Sequence, residues 1–416
     1  MPVTKVSSLH IYPIKSTAGI NIPQTKVEEL GLAFDRRFII SDPSGQFITA
    51  RTEPKLCLVQ TNLIEQGLEL TAPNMLTLTL SYEEFTNQYQ KVTVWGDEVD
   101  GQLCSNGANA WFSEYLQRPC KLLFFGQGSN RERKPNTDNS RKLAFADGYP
   151  LLLISQASLD DLNSRLVNKQ LDNADLAIEG QQKTVSMTQF RPNIVIDNCL
   201  PFAEDGWQHI RIGEVEFKVS KPCERCIFTT VDPQSGEKHP QQQPLRTLKS
   251  FRQTQNGEVL FGQNLIALNS GQIYQGDELT IISTKKPPTF IISDSTSETK
   301  FSSLNTKNND VVTKSVNKKL NISFEKWNKN YQVPSLDKKR NDKIKTLLEN
   351  GEDAGLILPY SCRAGMCGRC KALLISGEVR QTSIDDLDGL TAQEKKDGYI
   401  LCCSTIAISD VVIKHT

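Results

Sequence analysis

Histidine is scarce in this chain of 416 residues, which contains only four, at His10, His209, His239 and His415. They stand far apart, so no two histidines form a motif for holding a haem or the zinc ion of a hydrolase. No Gly-rich dinucleotide fingerprint follows a strand pattern either. We therefore expect that the chain does not bind NAD(P)H itself.

Long apolar runs and net charge are also missing. No run of about 18 or more apolar residues could cross a membrane, and the residues from Met1 to Lys5 lack the apolar core of a secretory signal. The 48 basic residues balance the 48 acidic ones, which gives no sign of a nucleic acid or an anionic membrane as partner. We expect a soluble, cytoplasmic protein without either partner.

The cysteines are unevenly distributed. Their number, 11, is odd, and five of them lie between Cys362 and Cys403. Such crowding suits metal ligation in a reducing compartment better than a disulfide framework. The length of the chain predicts two or three domains.

Short strand patterns dominate the chain up to about residue 282. Strand-like segments at 37–40 and 47–50 flank an Asp-Pro-Ser-Gly turn and predict a hairpin. Helical spacing occurs at 108–116 and at 158–166, where Ser158 with Asp161 suits a capping pair. The sequence therefore predicts a mainly β fold with some α/β elements.

The composition changes at about residue 284. From there to residue 319 the chain consists mostly of Ser, Thr, Asn and Lys, with almost no aromatic residue. This composition predicts a flexible linker that joins two folded parts.

The strongest motif follows the linker. Cys362, Cys367 and Cys370 have the spacing C-x4-C-x2-C, and Cys403 lies further on. This is the ligand spacing of plant-type [2Fe-2S] clusters. Four thiolates could also bind zinc, but paired C-x2-C knuckles would then be expected. Cys402 directly precedes Cys403, so which of the two is the fourth ligand depends on the register of the strand that carries them. We favour Cys403.

A second cysteine pair, Cys223 and Cys226, has the spacing C-x-x-C. By itself this pair fits half a zinc site, a redox dithiol or two buried cysteines at the end of a strand. A [2Fe-2S] centre transfers single electrons, so it requires a donor and an acceptor. The chain must hold that acceptor with something other than histidine, and thiolate is suitable.

The last 70 or so residues resemble plant-type ferredoxin domains, on the loop Arg-Ala-Gly-Met-Cys-Gly-x-Cys and the strand Ile-Leu-x-Cys. The resemblance implies a β-grasp fold. Ile344, Leu347 and Leu348 supply the helix expected before the cluster loop. The segment 321–343 matches the usual leading hairpin poorly.

Residues from about 5 to 282 resemble the MOSC family, with the β-rich N-terminal domain that accompanies it in the amidoxime-reducing components. The whole architecture resembles the bacterial YcbX-type proteins. The motifs are Lys15-Ser16, Asp35-Arg36-Arg37, Thr49 to Pro54, Phe190-Arg191-Pro192-Asn193, Cys223 to Pro233 and Leu260-Phe261-Gly262-Gln263. The resemblance implies a β-rich N-terminal domain at 1–125, a MOSC β-barrel domain at 126–283, a linker at 284–319 and a ferredoxin-type domain at 320–416.

The resemblance also implies a molybdenum cofactor whose metal is bound by one cysteine, which by motif is Cys226. Cys223 is then a packing residue. Thiolate sulfur is a suitable soft ligand, and cations and polar groups suit the anionic pterin phosphate. The implied cofactor-binding residues are Lys15, Ser16, Arg36, Arg51, Arg191, Asn193 and Arg225.

The function implied by the resemblance is reduction of N-hydroxylated compounds, such as hydroxylamino-purines and amidoximes, as a detoxification. Electrons would come from an NAD(P)H-dependent flavoprotein reductase and reach molybdenum through the fused [2Fe-2S] domain. Two alternatives stay open. Cys226 could carry a persulfide in sulfur transfer, or the chain could deliver electrons to a partner enzyme.

Overall fold

The chain divides into two compact units, and each has its own sheets. In the computed structural model, the first unit comprises Met1–Leu248 and Leu260–Thr289, and the second Lys249–Val259 and Phe290–Thr416. The described residues are 3–95, 97–133, 141–172, 184–255, 257–291, 319–334, 345–356, 358–360, 368–381 and 390–415. Most of the predicted linker, residues 292–318, lies outside them.

The first unit is built mainly of strands. In chain order these are β1 (Lys5–Ile11), β2 (Ile20–Ile22), β3 (Gln24–Glu28), β4 (Gly31–Leu32), β5 (Phe38–Ser41), β6 (Gln60–Ile64), β7 (Gly67–Thr71), β8 (Leu78–Ser81), β9 (Tyr89–Val94), β10 (Asp97–Leu103), β11 (Lys121–Phe124), β12 (Glu132–Arg133), β13 (Arg141–Lys142), β14 (Leu151–Ser155), β15 (Ile194–Asp197), β16 (Trp207–Ile212), β17 (Val215–Glu224), β18 (Leu260–Ala267), β19 (Gly271–Tyr274) and β20 (Leu279–Thr284). The helices are α1 (Asn106–Leu116), α2 (Gln156–Asp172) and α3 (Leu245–Arg252), of which α3 continues into the second unit.

The largest sheet has eight strands in the order β2-β1-β15-β14-β18-β17-β16-β20. Strand β14 pairs parallel with β15 and antiparallel with β18. All five of its residues are buried, which explains the unbroken apolar run of its sequence, because a central strand covered on both faces has no polar side. The buried core of this sheet includes Leu9, Ile11, Leu153, Ile194 and Phe217.

A second core lies between strands β5 and β11, helix α1 and the sheet β6-β7-β8. Ser105 caps α1 by accepting a hydrogen bond from the Ala108 amide at 3.3 Å, and Gln117 ends the helix in the left-handed conformation. Phe112 in α1 and Phe38 in β5 are buried in this core. Each contributes about 1.5–3 kcal/mol through burial.

Two local predictions for this unit need correction. The predicted hairpin forms only near its turn, where Ser41 and Phe47 make an antiparallel bridge and the Ile48 amide donates to the Ile40 carbonyl at 2.8 Å. Residues 47–50 do not continue as a strand, because the chain turns at Thr49, whose carbonyl accepts from the Glu53 amide at 2.9 Å. Helix α2 begins before Ser158. The Ser158 amide donates to Ser155 Oγ at 3.1 Å, and the Ser158 hydroxyl donates to buried Glu204 at 2.8 Å, so Ser158 with Asp161 is not the cap.

Gly262 in β18 tests the packing of this sheet. Its φ is +80°, and a Cβ there would lie 2.6 Å from Ile154 Cγ1 and 2.9 Å from the Leu153 carbonyl oxygen. We expect Gly262→Ala to cost about 2–4 kcal/mol through strain and overpacking, measured by urea unfolding. The control is Gly276→Ala, where φ is +94° and no described atom lies within 4 Å; it should cost only about 1–2 kcal/mol. Equal costs would contradict the close packing at Gly262.

The second unit is also mainly β. Its strands are β21 (Lys319–Phe324), β22 (Lys329–Pro334), β23 (Lys371–Ser376), β24 (Val379–Gln381), β25 (Tyr399–Leu401), β26 (Thr405–Ala407) and β27 (Val411–His415). Its helices are α4 (Leu347–Asp353) and α5 (Ala392–Lys396). Five strands form a sheet in the order β22-β21-β27-β23-β25.

The leading part of this unit is a regular hairpin. Strands β21 and β22 pair antiparallel from Lys319 with Pro334 to Phe324 with Lys329, although the sequence of this segment is a poor match to such a hairpin. Helix α4 begins at Leu347 within a capping box of Thr346 and Glu349. Ile344, which the sequence also assigned to this helix, lies outside the described residues. The predicted mainly β fold is confirmed.

Candidate functional site

All the predicted residues of the first unit line one cleft. They reach it from four places in the fold: the end of β1, the loops on either side of β5, the approach to β15 and the end of β17. The structure brings together Lys15, Ser16, Arg36, Arg51, Arg191, Asn193, Arg225 and Cys226. Five of these are cations, and they surround the thiol of Cys226, which follows the end of β17.

The backbone at three of these positions is in the left-handed region. Ser16 has a φ of 75°, Arg36 of 47° and Arg191 of 56°. This conformation costs a residue with a side chain about 1–2 kcal/mol. Such backbone conformations are concentrated at functional sites, and here they occur at three residues that line one cleft.

Cys226 lies directly before the 3₁₀ turn Ile227–Thr230. The Thr229 amide donates to the Cys226 carbonyl at 3.0 Å, which holds the backbone of the turn. Arg51 Nε donates to Cys226 Sγ at 3.3 Å. Cys223 also lines the cleft; its Sγ lies 3.7 Å from the Glu224 carbonyl oxygen, and burial raises the pKa of its thiol.

Asp147 is a residue of the cleft that sequence reasoning missed. Its carboxylate accepts from Lys15, from Arg51 Nη2 at 2.8 Å and from Trp95 Nε1 at 2.9 Å. The charges of Lys15 and Arg51 hold the pKa of Asp147 well below its usual range. The carboxylate therefore fixes two of the cleft's cations. A lone aspartate before a strand carries no motif that could have identified it.

Lys15 is buried in the cleft wall, where its Nζ donates to the Phe145 carbonyl at 2.8 Å. Burial lowers the pKa of Lys15 to about 8 from 10.5, although the charge of Asp147 opposes this. Between these pH values the unfolded chain retains a proton that the folded, cofactor-free protein has lost. The free energy of unfolding therefore rises with pH across this window.

We expect the Lys15→Met variant to lack this rise. Urea unfolding of the cofactor-free protein, measured at several values from pH 8 to 10.5, compares the two proteins. All other titrating groups are present in both proteins. The difference between the two curves of unfolding free energy against pH is therefore the contribution of Lys15. Parallel curves for the wild type and the variant would contradict the lowered pKa.

Tyr12 supports two of the arginines. The guanidinium carbons of Arg36 and Arg191 lie 4.5 and 4.1 Å from the centre of its ring. Its hydroxyl is buried and has no hydrogen-bond partner among the described residues, and burial raises the pKa of Tyr12 to about 12. The ring rather than the hydroxyl is thus the part of Tyr12 that contacts the arginines.

This arrangement predicts different effects for two substitutions. Tyr12→Phe keeps the ring and should leave stability nearly unchanged. Tyr12→Leu loses both cation–π contacts and should be less stable than Tyr12→Phe by about 1–3 kcal/mol, as measured by urea unfolding. If the two variants unfold together, the ring does not support the arginines.

Asn193 and Arg225 are both buried in the cleft wall. Asn193 Oδ1 accepts from Arg36 Nη1 at 2.9 Å and from the Leu152 amide at 3.2 Å, so Asn193 fixes Arg36. Arg225 donates to the Phe261 and Phe190 carbonyls at 2.8 and 3.0 Å. Its Nη2 atom is buried and has no partner among the described residues.

The second unit contains part of the predicted cluster site. The Cys403 amide donates to Cys370 Sγ at 3.4 Å, and the Cys402 amide to the Cys370 carbonyl at 3.0 Å. Cys402 Sγ points elsewhere, to His415 Nε2 at 3.8 Å. Cys362 and Cys367 lie outside the described residues. The structure thus places Cys370 beside Cys403 and directs the Cys402 thiol away from them.

Three family models match the chain in order. They are the MOSC N-terminal beta barrel domain at residues 3–119, the MOSC domain at 140–280 and the 2Fe-2S iron-sulfur cluster binding domain at 337–407. In the part of the chain that the structure describes, no helix is long and apolar enough to span a membrane.

Similar proteins are found among curated relatives and solved structures. The mitochondrial amidoxime-reducing component 1 of Homo sapiens is 36% identical over 298 residues, which cover 67% of this chain and 83% of the relative. The molybdenum cofactor sulfurase of Oryza sativa subsp. japonica is 33% identical over 66% of this chain and 34% of its own. A ferredoxin reductase in carbazole 1,9a-dioxygenase is 30% identical over 24% of this chain and 28% of its own, with a TM-score of 0.20.

Proposed function

The chain belongs to the amidoxime-reducing component family of MOSC-domain proteins, and from this premise we propose that it is a molybdenum-cofactor-dependent reductase of N-hydroxylated compounds. The substrates are amidoximes, hydroxylamino-purines and similar small molecules. The observation that carries the proposal is the cleft in which five cations surround the thiol of Cys226.

The residues of the cleft fit the cofactor. An anionic group that carries a phosphate needs cations and N–H donors, and the cleft supplies Lys15 and four arginines. The Nη2 atom of Arg225 is a buried donor that no described protein group satisfies. A buried donor without a partner is costly, so a bound acceptor would stabilise it.

Each residue then has a distinct role. Cys226 is the soft thiolate ligand of the metal, and Arg51 gives its sulfur a charge-assisted hydrogen bond. Asp147 holds Arg51 and Lys15 in place. The cofactor-binding residues are Lys15, Ser16, Arg36, Arg51, Arg191 and Arg225, with Asn193 in support of Arg36.

When bound, the molybdenum cofactor supplies a centre that accepts an oxygen atom from the N-hydroxyl group. The overall reaction consumes two electrons and two protons, and it releases the amine or amidine and water. Substrate enters the same cleft, whose wall also contains Glu224 and Asn264.

The electrons arrive singly through a [2Fe-2S] cluster held by Cys362, Cys367, Cys370 and Cys403. The donor is an NAD(P)H-dependent flavoprotein reductase, and the reaction takes place in the cytoplasm. The linker predicted from the composition of residues 284–319 would give the cluster domain and the rest of the chain an effective concentration in the millimolar range. A separate ferredoxin is then unnecessary.

Turnover of an aromatic amidoxime tests this function. The purified protein, with an artificial reductant under anaerobic conditions, should form the amidine, detected by chromatography, and Cys226→Ser should form none. A persulfide on Cys226 after desulfurase treatment, without amidine formation, would instead support a sulfur carrier. If neither amidine nor a persulfide is formed, the result would support the alternative that the chain delivers electrons to a partner enzyme.

A further inference from the structure

Arg131 is a buried arginine outside the cleft. Its side chain is only 1% exposed. Its Nε donates to Asp97 Oδ2 at 2.8 Å, and its remaining nitrogens donate to the carbonyls of Ala144, Ala146 and Asp147. A buried guanidinium requires such compensation, and here three of the four acceptors belong to one short loop.

The same loop is held from its other side by residues of the cleft. Lys15 Nζ donates to the Phe145 carbonyl at 2.8 Å, and the Phe145 amide donates to the Arg36 carbonyl at 3.0 Å. The carbonyls of the loop are thus divided between Arg131 and Lys15. This division directs the Asp147 carboxylate towards Lys15 and Arg51.

We propose that Arg131 is a positioning residue for the cleft: it clamps the loop from Ala144 to Asp147, so that Asp147 holds Lys15 and Arg51 where the cofactor binds. This rests on the proposed function. Arg131 lies between the segments that match the two MOSC family models, and it acts on the site only through the loop.

The hairpin of β9 and β10 contacts both ends of this clamp. Asp97 begins β10 and accepts from Arg131. Trp95, two residues earlier, donates to Asp147 Oδ1 at 2.9 Å, and its ring lies 4.7 Å from the Arg51 guanidinium carbon. One hairpin therefore contacts both the clamp and the carboxylate that the clamp positions.

Arg133 provides a matched control. Its Nε donates to the same Asp97 Oδ2 at 2.7 Å, and its Nη2 donates to the Trp95 carbonyl at 3.4 Å. Arg133→Gln therefore removes a cation and a bond to Asp97 without removing a hydrogen bond to the loop from Ala144 to Asp147. Arg131→Gln removes the bonds to the loop as well.

The first measurement is the rate at which molybdenum is lost from the full-length protein during dialysis. Arg131→Gln should lose it about tenfold faster than the wild type, the usual effect of removing a group that supports a metal site, and Arg133→Gln at the wild-type rate. The double variant Arg131→Gln/Asp147→Asn should lose it no faster than Asp147→Asn, because both residues act through one carboxylate.

The second measurement needs no cofactor. The Phe145 amide donates a hydrogen bond to the Arg36 carbonyl. In cofactor-free protein, hydrogen–deuterium exchange of the peptide that contains Phe145 should be faster in Arg131→Gln and unchanged in Arg133→Gln. If Arg131→Gln does not fold, Arg131→Lys replaces it in both measurements. This variant keeps the charge but lacks the forked donors, so we expect the same faster exchange and faster loss of molybdenum.

Two results would overturn the proposal that Arg131 clamps the loop. One is that Arg131→Gln keeps its molybdenum as long as the wild type does and shows unchanged hydrogen exchange. The other is that the double variant loses molybdenum faster than Asp147→Asn by the factor that Arg131→Gln shows alone. If the wild type contains no molybdenum, the proposed function fails. The exchange measurement still decides whether Arg131 positions the loop.

Discussion

Cys226→Ser is expected to lose its molybdenum while its iron content stays at the wild-type level. The serine oxygen is a harder, weaker ligand for a metal that prefers thiolate, and the cations of the cleft alone hold only the organic part of the cofactor. The proposed [2Fe-2S] ligands belong to the other unit of the chain, so we expect iron binding to be independent of this site. Metal analysis of both purified proteins gives the answer.

Cys223→Ser is the matched control for this result. Cys223 lines the same cleft three residues earlier, but its Sγ contacts the Glu224 carbonyl, whereas the Cys226 sulfur accepts a hydrogen bond from Arg51. We expect it to retain molybdenum and amidoxime reduction. Loss of molybdenum in both variants to the same extent would show that the C-x-x-C pair acts together and that Cys226 is not the sole ligand.

Cys403→Ala is expected to lose the [2Fe-2S] cluster, whereas Cys402→Ala keeps it. The Cys403 amide lies 3.4 Å from Cys370 Sγ, so this part of the chain is arranged around the sulfur of a predicted ligand. The Cys402 side chain is fully buried in the core of the unit and contacts His415 Nε2 at 3.8 Å. Burial raises the pKa of the Cys402 thiol, whereas cluster ligands are thiolates.

Iron content and the visible absorption of the cluster distinguish the two variants. Cys402→Ala should show the wild-type spectrum and lower thermal stability, because it leaves a small cavity in the core of the second unit. A cluster that survives in Cys403→Ala and disappears in Cys402→Ala would reverse the assignment of the fourth ligand.

The sequence pointed to eight residues that share one cleft, but not to Asp147 beside them or to the contacts that hold them. Each of the eight predicted residues belongs to a motif of a known family, and all of them line the cleft. The residues that hold the cleft act through contacts between distant parts of the chain: Asp147, for example, bonds Arg51, which is 96 positions away in the sequence. The same is true of Tyr12 and, over shorter separations, of Arg131. A single residue without a pattern does not reveal such a contact.

The fold was predictable where the apolar pattern is strong. Strand β14 appeared as a continuous apolar run because both its faces are covered. The pattern at 47–50 resembles a strand, but the backbone bonds at Thr49 turn the chain there and place Arg51 in the cleft. At residues 47–50 the contacts of the site, rather than the local strand propensity, determine the backbone conformation.

Oxidation of the reduced cluster by substrate tests the proposed function most directly. Protein reduced anaerobically and freed of excess reductant is mixed with an amidoxime, and the visible spectrum of the cluster is followed together with amidine formation. The proposed function predicts that the cluster is reoxidised as amidine appears, and that it stays reduced in Cys226→Ser. Reoxidation at equal rates in both proteins, or none in the wild type, would contradict electron transfer from the cluster to a site at Cys226.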